Sequence, residues 1–206
     1  MTAQKQIYLV DDDAAVCHAL SLFLRNSGFR VDIFSCAEDF LKAVNDAMAG
    51  VILLDQRMTG MTGLQLQAAL GKRGNELPII FITGHGDVRM SVNAIKAGAV
   101  NFLEKPFSNE ELLVMLGEAF ACLDETRDLH KQVDELRRCR ASLTEREREV
   151  MRYVVAGMSN RALADRLGVS DRTIEVHRAR GMKKMGAQSL PDLVRKYALC
   201  LQNGVP

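Results

Sequence analysis

Five short apolar runs fall in the first 120 residues, at positions 7–10, 29–34, 51–54, 79–82 and 100–103, each bounded by Gly, Asp or Pro. Between them lie stretches of helical periodicity. Val16, Leu20, Phe23 and Leu24 form one such face, which stops at Gly28 in a C-cap position. Repeated β-α units of this kind predict an α/β fold with a doubly wound, five-stranded parallel sheet. In such a sheet the ligand site lies at the carboxyl ends of the strands, so the residues that close each run matter most.

Those residues carry a consistent chemistry. The first run ends in Asp11, Asp12 and Asp13, the third in Asp55, the fourth in Thr83-Gly84, and the fifth is followed by Lys105-Pro106. Clustered carboxylates repel one another, and a hard divalent cation removes the conflict. Asp55 is the candidate nucleophile, since a carboxylate beside a metal can attack a phosphorus centre in line. Charge on the transferred group would be neutralised by the metal, the Lys105 ammonium and the Thr83 hydroxyl, with Gly84 leaving room for it. Asp13 is most simply the N-cap of the first helix. His85 is expected as a loop residue at the start of the fourth helix, because no Ser or Cys nucleophile has a matching context.

The rear of the chain reads differently. Positions 120–140 hold no Gly or Pro, and Met115, Cys122, Leu129, Leu136 and Leu143 recur at seven-residue spacing. One long helix is expected there, either packed on its own domain or acting as a coiled-coil linker. After it, Thr144 to Glu147 forms a capping box, and Ser159, Ser170 and Ser189 precede three further helical stretches. Gly157, Gly168 and Gly186 stop the first three of the four helices, and Pro191 sits in the first turn of the last.

A short helix, a Gly168-Val169 turn and a basic helix make a helix-turn-helix, whose second helix enters the major groove. Ile174, His177, Gly181 and Met185 share one face at helical period and are assigned to the core, so His177 is expected to pack rather than read bases. The opposite face offers Arg172, Thr173, Glu175, Val176, Ala179, Arg180 and Lys183. Small and apolar groups there can meet thymine methyls, and Glu175 can accept from cytosine. Arg172, Arg178, Arg180, Lys183 and Lys184 suit phosphates.

Charge follows the same division. Residues 1–120 carry ten basic against fourteen acidic side chains, residues 121–140 are balanced, and residues 141–206 carry twelve basic against seven acidic. An acidic front half suits a metal or phosphate site, and a basic rear half suits a polyanion. The expected domains are 1–120, a helical linker at 121–140, and 141–206. Five scattered cysteines without CxxC spacing read as reduced thiols of a cytoplasmic protein. No apolar run approaches a membrane span, and MTAQKQIYLVDDD reads as a strand rather than a signal peptide, so no membrane partner is expected.

Residues 5–120 resemble a receiver domain of the CheY-like superfamily, which is flavodoxin-like, and ITGHGDVRMSVNAIKAGAVNFLEKPF is similar to the FixJ subfamily. The segment LTEREREVMRYVVAGMSNRALADRLGVSDRTIEVHRARGMKKMGAQSL resembles the LuxR-type helix-turn-helix, and the order of the two matches the FixJ/NarL class of response regulators. By that resemblance Asp55 is the phosphoacceptor, served by a cognate sensor histidine kinase. Asp11 and Asp12 are the acidic pair, and Asp12, Asp55 and the Arg57 carbonyl hold Mg²⁺ (or Mn²⁺). Thr83 is the switch hydroxyl, Phe102 the rotating aromatic and Lys105 the phosphate partner, with Lys105-Pro106 often cis. The family also implies a homodimer on phosphorylation, with residues 189–201 often at the contact, and activation at promoter DNA through RNA polymerase. One departure stands out: Thr59 replaces the proline usual four residues after the phosphoacceptor, while Met58 and Gly63 are kept. A looser loop is expected there, with no ligand lost.

Rival readings are weaker. A haloacid-dehalogenase-type phosphatase would use a D-x-D pair within Asp11-Asp12-Asp13, leave Asp55 without a role, and need a cap domain for which there is no room. A small-molecule sensor needs an aromatic-rich pocket, and this chain has no Trp and three Tyr. A module for protein contacts alone does not explain the basic helix-turn-helix.

Overall fold

The computed structural model describes residues 4–84, 95 and 98–202 and divides into two compact units, Met1–Thr126 and Arg127–Pro206. His85 and most of the expected fourth helix of the first unit lie outside the described residues.

The first unit is built on a parallel sheet of order β2-β1-β3-β4-β5, with β1 at Gln6–Val10, β2 at Arg30–Phe34, β3 at Val51–Asp55, β4 at Ile79–Thr83 and β5 at Asn101–Glu104. This is the doubly wound sheet the apolar runs predict. Alternate residues of each strand serve opposite faces. Ile7, Leu9, Val51, Leu53, Ile80 and Ile82 pack under α1 (Ala14–Asn26) and the start of α4 (Asn109–Ala141). Tyr8, Val10, Ile52, Leu54 and Phe81 pack against Phe40 of α2 (Ala37–Ala43) and Leu66 and Leu70 of α3 (Gly63–Lys72). The inner strands β3 and β4 are buried throughout, which explains their unbroken apolar sequences. In-register pairing then brings the ends of neighbouring strands together, with Asp55 opposite Ile82 and Thr83 opposite Glu104.

The second unit packs α5 (Glu145–Val155), α6 (Asn160–Leu167), α7 (Asp171–Lys184) and α8 (Leu190–Gln202) around Val150, Met151, Leu163, Ile174, Leu193 and Tyr197. The caps fall where the sequence signals them. Thr144 and Glu147 form the capping box of α5, and Ser159 and Ser170 cap α6 and α7. Gly168 closes α6 at φ 63°, a left-handed conformation that a side chain would oppose, and this makes the sharp turn into α7.

The seven-residue seam is divided by burial. Met115 packs on the core of the first unit, Leu136 and Leu143 are buried in the core of the second, and Cys122 and Leu129 are exposed. Both ends of the seam are therefore spent on the core of their own unit.

Candidate functional site

The carboxyl edge of the sheet gathers the residues that close β1, β3, β4 and β5. Asp55, at the tip of β3, and Asp11, directly after β1, are both buried, and the Lys105 ammonium bridges them at 2.9 Å from Asp55 Oδ1 and 3.1 Å from Asp11 Oδ2. The second oxygen of Asp55 accepts from the Arg57 backbone N–H at 2.6 Å, and Asp11 Oδ1 accepts from the Asp13 N–H at 2.8 Å. Asp13 itself accepts from Ala15 and Val16 and caps α1. Thr83 is buried at the end of β4, beside the same edge, and Gly84 follows it exposed. Lys105-Pro106 is cis, and Phe102 is half-buried against the core face that holds Phe81 and Leu66.

Burial lifts the Asp11 carboxyl above its ordinary range, with the Asp13 N–H and the Lys105 charge acting against the rise. Burial also opposes the Lys105 ammonium, but hydrogen bonding and charge from Asp55 and Asp11 outweigh it and raise that group. Asp12 is exposed and lies lower than usual, because the Thr59 N–H and hydroxyl both donate to its Oδ2, at 2.7 and 2.8 Å. Among the described residues, no three His, Cys, Asp or Glu side chains converge into a cluster able to hold a metal ion. The edge thus brings Asp11, Asp55 and Lys105 together and holds Asp12 on the neighbouring loop.

That loop is pinned rather than loosened. Besides the Thr59–Asp12 bonds, Glu38 of α2 accepts from the Met61 N–H at 2.9 Å, a contact no sequence signal announced. Gly63 is required at the loop's end, since a Cβ there would lie 2.6 Å from the Asp55 carbonyl oxygen and 3.1 Å from the Gln56 Cα. Backbone atoms cannot step aside as a side-chain tip can. Gly63→Ala is expected to destabilise the first unit by about 2–3 kcal/mol, read as a lowered midpoint in urea; an unchanged midpoint would mean the loop yields freely.

The donor chemistry at the edge fits a hard divalent cation. Asp11 and Asp55 set two buried carboxylates against the Lys105 ammonium, and Asp12 stands exposed beside Thr59, all oxygen donors of the kind such a cation takes. Buried Cys17 donates its thiol to the Asp11 carbonyl at 3.3 Å, and burial pushes that thiol up to about 11, so it acts as a packed hydrophobe and not as a nucleophile.

In the second unit, Ile174, Gly181 and Met185 face the core as their spacing predicts, and His177 is half-buried beside them. Arg172, Glu175, Val176, Ala179, Arg180 and Lys183 are exposed on α7. Thr173 is half-buried, its N–H and hydroxyl bonded to the Ser170 hydroxyl at the helix cap. Arg172 pairs with Glu175 at 3.2 Å along the helix surface. Two of the expected phosphate-facing cations also bond within the unit. Arg178 donates to Asn160 Oδ1 at 2.9 Å, and Lys184 binds the buried Glu147 carboxylate at 2.7 Å and the Ser142 carbonyl at 3.0 Å. Helical spacing alone puts Lys184 near the basic face; only the packing of α5 beside α7 turns it inward.

A parallel sheet with a carboxylate–lysine edge, ahead of a helix-turn-helix whose second helix is basic, defines a transcriptional response regulator whose output follows phosphorylation. Residues 7–117 match the response regulator receiver domain, and residues 141–197 match the bacterial regulatory proteins of the luxR family; the chain belongs to the response regulators that join these two. It is 44% identical over 189 residues to the response regulator protein TmoT of Ectopseudomonas mendocina, covering 92% of this chain and 86% of that one. It is 40% identical over 195 residues to the transcriptional regulatory protein FixJ of Bradyrhizobium diazoefficiens, covering 95% of each. The solved structure of the response regulator StyR superposes with a TM-score of 0.82 at 38% identity, over 95% of this chain and 99% of that one. No helix among the described residues is long and apolar enough to cross a membrane.

Proposed function

We propose that Asp55 takes a phosphoryl group from a sensor histidine kinase, and that the phosphorylated chain pairs with a second copy to bind promoter DNA and activate transcription through RNA polymerase. The observation that carries this reading is the Lys105 bridge between Asp11 and Asp55 at the sheet edge. One oxygen of Asp55 attacks phosphorus, and the bond to the donor's leaving group breaks as the O–P bond forms, the electron pair departing with that group. The Arg57 N–H holds the carboxylate in place through its other oxygen. Lys105 then trades a carboxylate for a phosphoryl oxygen, and the Thr83 hydroxyl, carried at the end of β4, would turn toward another. Asp11, Asp12, Asp55 and the Arg57 carbonyl would hold Mg²⁺ or Mn²⁺, which supplies charge neutralisation on the phosphoryl oxygens. Phe102 would turn into the space Thr83 vacates.

This role makes the chain a phosphoacceptor, with loss of the group to water as its only other chemistry, and it acts in the cytoplasm where DNA is within reach. Residues 1–120 serve as receiver, 121–140 as helical linker and 141–206 as the DNA domain. For base reading we favour Glu175, Val176 and Ala179, and for phosphates Arg172, Arg180 and Lys183, all exposed on α7.

Sedimentation and operator titration, with and without beryllofluoride and Mg²⁺, test the reading. The phosphate mimic should convert monomer to dimer and raise operator affinity about tenfold or more through effective concentration at two half-sites. Arg180→Ala should weaken all sequences alike and reduce the salt slope by about one unit. Val176→Ala should instead relax sequence preference. Equal dimerisation and equal operator binding in both states would refute the switch.

A further inference from the structure

Thr59 stands where the pattern after the phosphoacceptor usually carries proline, and it makes two bonds that proline cannot make. Its N–H and its hydroxyl converge on one oxygen of Asp12, at 2.7 and 2.8 Å, joining the loop after β3 to the turn after β1 across 47 residues of sequence. Asp12 closes β1 beside Asp11 and so belongs to the acidic edge by position. Asp11 and Asp55 are drawn together by Lys105, while Asp12 is drawn to Thr59.

We propose that Thr59 is a positioning residue that clasps Asp12, so that a divalent cation must displace two hydrogen bonds to recruit that carboxylate. The inference rests on the reading of Asp12 as a metal ligand. Hydrogen bonds to an ionised carboxylate are among the stronger ones a protein makes. Here both partners are exposed, water competes for each, and the net effect is a several-fold one. The clasp sets the metal affinity of this receiver below what a proline at the same position would allow. It also makes Thr59 a reporter of metal occupancy, since its amide loses its acceptor when Asp12 turns to the cation.

Mn²⁺ titration of the full chain, followed by the electron paramagnetic resonance signal of the free ion, measures the affinity directly. Thr59→Pro removes both donors and should tighten Mn²⁺ binding about fivefold, close to 1 kcal/mol. Thr59→Val removes only the hydroxyl and should tighten it about twofold, while Thr59→Ser keeps both donors and the wild-type affinity. Hydrogen exchange at the Thr59 amide of the unmodified chain should quicken on saturation with Mg²⁺, a readout that does not depend on the proline variant folding. Equal affinities across the three variants, or weaker binding by Thr59→Val with an intact circular dichroism spectrum, would overturn the clasp. Asp12→Asn separates the two levels. If it abolishes tight Mn²⁺ binding while the Thr59 variants match wild type, the clasp alone is wrong; if it binds as well as wild type, Asp12 is no ligand and both readings fall.

Discussion

Asp55→Asn is expected to abolish phosphorylation of the chain, lowering the labelling rate on the order of 10⁴-fold or more, as loss of a nucleophile does elsewhere. Among the described residues, Asp11, Asp12 and Asp13 follow β1 at the same sheet edge, and each has a reason not to substitute. Asp13 is committed to capping α1, and Asp12 is engaged by Thr59 or, with a cation bound, by the cation. Asp11 is buried behind the Lys105 ammonium and accepts the Asp13 N–H. Asp55 stands at the tip of a central strand with one oxygen on Lys105 and the other on the Arg57 N–H. Asparagine keeps the shape of the side chain but loses its charge and one of its two accepting oxygens, a change confined to the sheet edge, so the sheet and its core should remain folded. The measurement is incubation with acetyl phosphate and Mg²⁺, then borohydride reduction and peptide mapping. Undiminished labelling of the variant would move the phosphoacceptor elsewhere, and labelling of the wild type without any divalent cation would remove the metal from the reaction.

A second large effect is expected far from that site. Glu147, at the start of α5, is 3% exposed, and its carboxylate accepts from Lys184 of α7 at 2.7 Å and from the Thr144 N–H at 2.9 Å. Hydrogen bonding from Lys184, joined by the Thr144 N–H, holds the Glu147 carboxyl down to about 2, against an ordinary value of 4.5. A carboxylate depressed in the folded state adds stability above its unfolded pKa, and that stability drains away as the pH falls. The second unit should therefore lose stability between about pH 4.5 and about pH 2. Lys184→Met leaves the buried carboxylate without its cation and should cost about 2 kcal/mol at neutral pH, less than for a fully buried pair because water reaches the lysine. It should also flatten the acid loss in that window. Urea unfolding from pH 2 to pH 7 checks both. The same variant distinguishes structure from recognition: the salt slope of DNA binding should stay that of the wild type. A lower slope with unchanged stability would return Lys184 to the phosphates.

The sequence by itself determined the elements of this protein and their order. Strand runs with ends at Asp11, Asp55, Thr83 and Lys105, the caps at Thr144, Ser159 and Ser170, and the stop at Gly168 are local signals. Burial on both faces imposes continuous apolar runs, and unsatisfied helix ends impose their caps, so such signals survive without tertiary information. Family resemblance added roles to those positions. What only the tertiary structure decided is which partner each polar side chain takes. Thr59 finds Asp12 across 47 residues, Glu38 finds Met61 across 23, and Lys184 turns to Glu147 across 37. The division of the seven-residue seam, with Met115 and Leu136 packed and Cys122 and Leu129 exposed, was equally invisible. Periodicity reports which side of a helix is apolar, whereas the surface it meets depends on chain closure over long separations. A hydrogen bond is decided within a few tenths of an ångström, and no residue spacing carries that precision.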